Sequence, residues 1–174
     1  MLSAAAEGGH SLSPSEGFVP PASGPERVYL APGRLYVSSA DVQVTTILGS
    51  CVAVCLWDPQ ARVGGVNHFL LPSGTPASPR FGDAAMAELI ASVLELGARR
   101  ARLMAKVFGG ACVLEAFRGE SASLGLRNVE AAHEWLRGAG IPVVSQDVGG
   151  HRGRKVVFRI RTGGAWVRAI EMKA

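Results

Sequence analysis

The sequence holds three cysteines and four histidines, and two of these residues stand out by what surrounds them. Cys51 follows Gly49 and Ser50, between an apolar, β-branched run that begins at Val44 and a second run from Val52 to Trp57. His68 lies in a third run, three residues after Gly65. A glycine before the thiol permits a sharp turn that exposes the next residue at the start of a strand. Backbone N–H groups freed at such a turn, here at Ser50 and Cys51, can face a developing oxyanion. A free thiol with a pKa of about 8.5 is only a few per cent thiolate at neutral pH, so it needs a neighbouring base. His68 is the nearest imidazole in the chain; His10 lies in a polar tail, His133 in mid-helix and His151 after a glycine turn. Two adjacent strands joined by a short loop could bring Cys51 and His68 together as nucleophile and general base.

Other uses of the same atoms fare worse. A cysteine in an apolar strand is most often a small buried hydrophobe, which fits Cys55 and Cys112. A zinc set of Cys51, Cys55, Cys112 and His68 is possible on paper. Cys51 and Cys55 in one extended strand would nevertheless lie about 13 Å apart at Cα, too far to share an ion. No metal or organic cofactor is therefore expected. The glycine pairs at 109–110 and 149–150 match no phosphate-binding fingerprint. Ser50 sits in LGSCV rather than a G-x-S-x-G elbow, and with a thiol adjacent the better nucleophile is the cysteine.

The elements that must position these residues are short. Runs bounded by Gly, Pro and Asp predict strands up to Leu48, from Val52 to Trp57, and through His68 to Pro72. Before them, alternating residues from Arg27 to Ala31 and Arg34 to Ser38 predict strands around a Pro32-Gly33 turn. The polar loop Ser73 to Arg80 could border a substrate groove, though a plain connection explains it as well. Helical spacing marks Asp83 to Ala98 and Leu124 to Ala139, the second with Val129, Ala132, Trp135 and Leu136 facing inward. Strands are expected at 103–108, 141–148, 156–161 and 166–170, with Gly149-Gly150 and Gly163-Gly164 as turns. The fold class is α+β: a mixed or antiparallel β-sheet sandwich flanked by two main helices.

At 174 residues the chain suits one domain, 27–174, after a Ser-, Pro- and Gly-rich tail at 1–26 expected to be disordered. Hydrophobic residues at 48% and charged residues at 18% are a globular composition. No apolar run approaches the roughly 18 residues of a membrane span, so no membrane insertion is expected. An odd cysteine count and no secretory signal favour a reduced, cytoplasmic setting. The net charge of +4 comes with only 6% aromatics. The basic clusters at 99–102 and 152–155 then read as solvated faces, not a nucleic-acid site.

The stretch TTILGSCVAVCLWDP followed by GGVNHFLLP resembles the chemoreceptor glutamine deamidase family, CheD. The likeness extends through FGDAAMAELI, AKVFGGA, LGLRNVEA and the GG-x-R-G-R-K-V-x-F pattern at 149–158, and so spans roughly Arg34 to Val167. It implies a protein-glutamine glutaminase, a cysteine hydrolase that converts glutamines of methyl-accepting chemotaxis receptors to glutamate through a thioester. In some members it also implies hydrolysis of glutamate methyl esters. The implied fold is a sandwich related to glutamine deamidase toxins. The implied catalytic residues are Cys51 as nucleophile, His68 as base and a supporting threonine at Thr45, with Thr46 the adjacent candidate. The implied partners are receptor cytoplasmic domains and, for many members, a chemotaxis phosphatase. A non-enzymatic adaptor that binds either partner is the alternative. His151 departs from the asparagine often found after the paired glycines, which bears on receptor preference.

Overall fold

In the computed structural model, residues 24–113 and 123–171 are described. The tail expected at 1–26 lies outside them except for its last three residues, and Glu26 already opens the first strand. Among the described residues, nine strands and two α-helices follow in the order β1 (Glu26–Tyr29), β2 (Arg34–Ser38), β3 (Val42–Leu48), β4 (Val52–Asp58), β5 (Val63–His68), α1 (Gly82–Glu95), β6 (Met104–Gly109), α2 (Leu124–Gly138), β7 (Val143–Val148), β8 (Gly153–Arg159) and β9 (Gly164–Ile170). A single 3-10 turn, Arg100–Arg102, precedes β6.

The strands form two mixed sheets. One has the order β1-β3-β8-β9 and the other β2-β5-β4-β6-β7. Pairing is antiparallel except for β1 with β3 and β6 with β7. Side chains from the facing sheets, including Val44, Leu48, Ala53, Cys55, Phe108 and Phe158, interdigitate in one core. The opposite face of the five-stranded sheet meets α1 and α2 in a second core built on Val54, Leu56, Met86, Leu89 and Leu136. The α+β expectation holds, as sheet on sheet with both helices on one side. β4 lies inside both cores and is buried at every position, so its sequence is continuously apolar instead of alternating. β3 faces a core on one side only and alternates, with Val42, Val44, Thr46 and Leu48 buried.

Four local expectations change. β1 and β2 are neighbours in sequence but join different sheets, so the Pro32-Gly33 turn passes the chain across the sandwich. Gly149-Gly150 does the same between β7 and β8, whereas Gly163-Gly164 does close a hairpin between β8 and β9. On α2 the inward face is Gly125, Asn128, Val129, Ala132 and Leu136, while Trp135 is 37% exposed. The reason is close packing at the first turn: a Cβ on Gly125 would collide with the Gly110 carbonyl, which sets the helix rotation and turns Trp135 outward. The basic clusters are also not merely solvated, since Arg102 pairs with Asp58 and Arg154 with Asp147.

Candidate active site

The β4–β5 register pairs Cys55 with Val66 and, further along, Val52 with Phe69. Carried between those pairs, the same register sets His68 opposite Ala53 and Cys51 one diagonal step away on the same face. Such diagonal neighbours stand about 7–8 Å apart at Cα, within reach of longer side chains. That face looks into the sandwich, and Cys51 packs against its core. The ladder opens beside His68, where the Val54 N–H is taken by the Asn67 side-chain oxygen at 2.9 Å.

The third side chain arrives from the opposite sheet. Thr46 Oγ1 lies 2.8 Å from His68 Nδ1 and donates to the Leu30 carbonyl oxygen at 2.8 Å. A hydroxyl has one proton, and a carbonyl can only accept. With that proton on Leu30, the bond to His68 must be donated by Nδ1–H, which leaves the lone pair on Nε2. Nε2 is buried and has no hydrogen-bond partner among the described residues. The threonine expected here was Thr45, and the structure puts Thr46 there instead. The two-residue period of β3 sends Thr46 inward in phase with Val44 and Leu48, and Thr45 to the other face.

Electrostatics follow from burial. His68 is 1% exposed, and burial brings its imidazole down to about 4. Burial pushes the half-buried Cys51 thiol up from its ordinary value, with the residue's own backbone N–H acting the other way. Both effects favour a neutral thiol beside a neutral imidazole. Cys55, in contrast, is completely buried, and burial drives its thiol far up. Cys112 is only half-buried, unlike the buried hydrophobe expected there, because it lies in the loop after β6 and not in a strand.

The Gly49–Cys51 turn is held along its carbonyls. Gly49 O accepts from Ala111 N at 2.9 Å, Cys51 O from Gly110 N at 2.8 Å, and Ser50 O from Asn128 Nδ2 at 2.9 Å. Gly109 and Gly110 have positive φ, and a Cβ on Gly109 would collide with the Cys51 carbonyl oxygen, so the approach requires glycine. Among the described residues, the N–H groups of Ser50 and Cys51 donate to no other backbone carbonyl. Ser78, Pro79 and Arg80 of the Ser73 to Arg80 loop border, with Pro32, Gly33 and Arg34, an open cleft of about 480 Å³ beside Leu70, and neither Cys51 nor His68 lines it. His151 is exposed, its Nδ1 3.3 Å from the Cys112 carbonyl oxygen. Sequence reasoning named Thr46 only as the candidate adjacent to Thr45, and did not single out Asn67 or Asn128. Each is a polar residue in the buried phase of its element, and that is the signal that marks it.

A model of the CheD family, described as CheD chemotactic sensory transduction, matches residues 70–169, just beyond Cys51 and His68. Relatives extend over those residues. A probable chemoreceptor glutamine deamidase CheD 1 of Anaeromyxobacter dehalogenans is 51% identical over 160 residues, 91% of this chain and 93% of that one. Probable chemoreceptor glutamine deamidases CheD of Trichlorobacter lovleyi and Rhodospirillum rubrum are 44% and 45% identical, covering 79% and 82% of this chain and 86% and 82% of theirs. Among solved structures, Bacillus licheniformis hypothetical protein YfiH superposes with a TM-score of 0.40 at 14% identity, over 67% of this chain and 49% of that one, too loosely to bear on the site. The match over more than half of the sequence and the identity to these relatives agree: the chain belongs to the CheD family.

Proposed function

We propose that this protein deamidates glutamine side chains of chemoreceptors by way of a Cys51 thioester. The observation that carries the mechanism is the His68 tautomer: Nδ1–H is committed to Thr46, and a buried, unpartnered Nε2 lone pair lies on the face that Cys51 shares. His68 Nε2 takes the Cys51 proton as sulfur attacks the carboxamide carbon, forming the S–C bond. The Ser50 and Cys51 N–H groups receive the oxyanion. His68 returns the proton to the departing nitrogen, the C–N bond breaks, and ammonia leaves a thioester. Water, deprotonated by the same Nε2, attacks the thioester carbon; the S–C bond breaks and glutamate and the thiol are restored. Thr46 holds the ring in the required tautomer throughout, the part the third group plays in triad chemistry.

The same chemistry acts on a glutamate methyl ester, with methanol leaving in place of ammonia. A chemotaxis phosphatase as a second partner, and the cytoplasm as the place of action, belong to this reading. No helix among the described residues is long and apolar enough to cross a membrane.

The test is mass spectrometry of a receptor cytoplasmic fragment incubated with the protein or with Cys51→Ala. Conversion of glutamine to glutamate by the wild type alone supports the reading. Tight binding with no conversion across several receptors would instead favour the adaptor.

A further inference from the structure

The Asn128 side chain is completely buried, on the first turns of a helix that otherwise presents small and apolar residues to the core. Its Nδ2 donates to two backbone carbonyls, Ser50 O and Leu70 O, both at 2.9 Å. The two carbonyls belong to neighbouring strands: the β4–β5 register, extended one step beyond Val52 and Phe69, sets Leu70 opposite Cys51, the residue after Ser50. Because both partners are carbonyl oxygens, only the amide NH₂ can face them, so the amide orientation is unambiguous. Oδ1 is left buried with no hydrogen-bond partner among the described residues. An apolar residue would fill this place without stranding an acceptor, so the two donated bonds are what an asparagine adds here.

The consequence lies on the other side of one peptide plane. In a trans peptide the C=O and the following N–H point in opposite directions. Holding Ser50 O toward α2 therefore turns the Cys51 N–H away from α2. Ala111 N holds Gly49 O, and so fixes the Ser50 N–H in the same manner. We infer that Asn128 is a positioning residue for the oxyanion site: it clamps the Ser50–Cys51 peptide so that the Cys51 N–H stays aimed at the acyl oxygen. The inference rests on the reading of Cys51 as an acyl-forming nucleophile, and it predicts a defect in acyl transfer without one in thiol reactivity.

Two reagents separate these in the full-length chain. p-Nitrophenyl acetate acylates a thiol through a tetrahedral oxyanion: S–C forms, p-nitrophenolate leaves, and the thiol proton goes to His68. Iodoacetamide alkylates the same sulfur by displacing iodide, with no oxyanion. The Cys51-dependent rates are those remaining after subtraction of the Cys51→Ala rate. Asn128→Leu is expected to lower acylation about 100-fold, the effect of losing one oxyanion donor, and to leave alkylation within about threefold. Leu136→Ala destabilises the same helix away from the turn and should leave the ratio of the two rates unchanged. Should Asn128→Leu fail to fold, Asn128→Ser, with one donor in place of two, is expected to lose about tenfold in acylation alone. Unchanged acylation, a parallel fall of both rates, or an equal change of ratio in Leu136→Ala would overturn the inference. Failure of the deamidase reading looks different: normal wild-type acylation with no ammonia released from receptor glutamines.

Discussion

At the C-terminal end of β4 the Asp58 carboxylate is fully buried, and its oxygens are saturated. They accept from the backbone of Gln60, Ala61 and Arg99 and pair with Arg102 at 2.8 Å. Burial alone would raise its pKa, but Arg102 and the three N–H groups outweigh it and hold the carboxyl well below the usual range. At the other end, half-buried Cys51 and buried His68 share one face, with no compensating ion pair among the described residues. Burial pushes the thiol up and the imidazole down. One end commits its polarity to holding a loop and the 3-10 turn; at the other, His68 Nε2 has no hydrogen-bond partner among the described residues. A buried group fully partnered in the resting state is inert, whereas one lacking a partner is poised to react.

The sharpest break of this contrast is Cys51→Ala, expected to lower turnover by about 10⁴-fold or more with little change in stability. Cys55→Ala, four residues further along the same face, should retain turnover and lose some stability through packing. Equal loss of activity in a folded Cys55→Ala protein would count against Cys51 as the nucleophile. Asp58→Ala should do the converse. Leaving Arg102 without its partner is expected to cost about 3–5 kcal/mol in urea denaturation, with kcat preserved in the folded fraction.

The neutral resting pair can be read by pH. Iodoacetamide alkylation of Cys51 should be slow near neutrality and climb through the alkaline range, because burial holds the thiol above its ordinary value. A flat, fast profile from pH 5 upward would indicate a thiolate–imidazolium pair instead. His68 also leaves a mark on stability. Its folded pKa of about 4 lies below the ordinary 6.5, so the unfolded chain takes up the proton first as pH falls. Its share of stability is complete above pH 6.5 and is lost progressively toward pH 4, and His68→Gln should flatten that part of the curve.

Smaller effects separate the two threonines. Thr46→Val keeps the shape but removes the acceptor for Nδ1–H, and should lower kcat about tenfold or more with KM little changed. Thr45→Val should stay within about twofold, since its side chain lies on the other face of β3. The reverse ranking, measured by ammonia release, would restore Thr45.

Much of this was legible in the chain. Gly-Ser-Cys at a strand start and a histidine one strand later marked two candidates, Cys51 and His68, that the register sets on one face. The 3.6-residue spacing marked both helices, and the unbroken apolar run of β4 marked a strand covered on both faces. Even Thr46 could have been read from its phase with Val44 and Leu48. Local pattern determines such features because side-chain direction follows from backbone period. Pattern does not say which sheet a strand joins, so the crossings at Pro32-Gly33 and Gly149-Gly150 read like hairpins. Nor does it fix the rotation of α2, where backbone contact at Gly125 places Asn128 inside and Trp135 outside. The bonds from Thr46 to His68 and from Asn128 to Ser50 join residues 22 and 78 positions apart. Only packed layers bring such residues together: local pattern picks out Cys51 and His68 as candidates, while their supports come from elements far away in the chain.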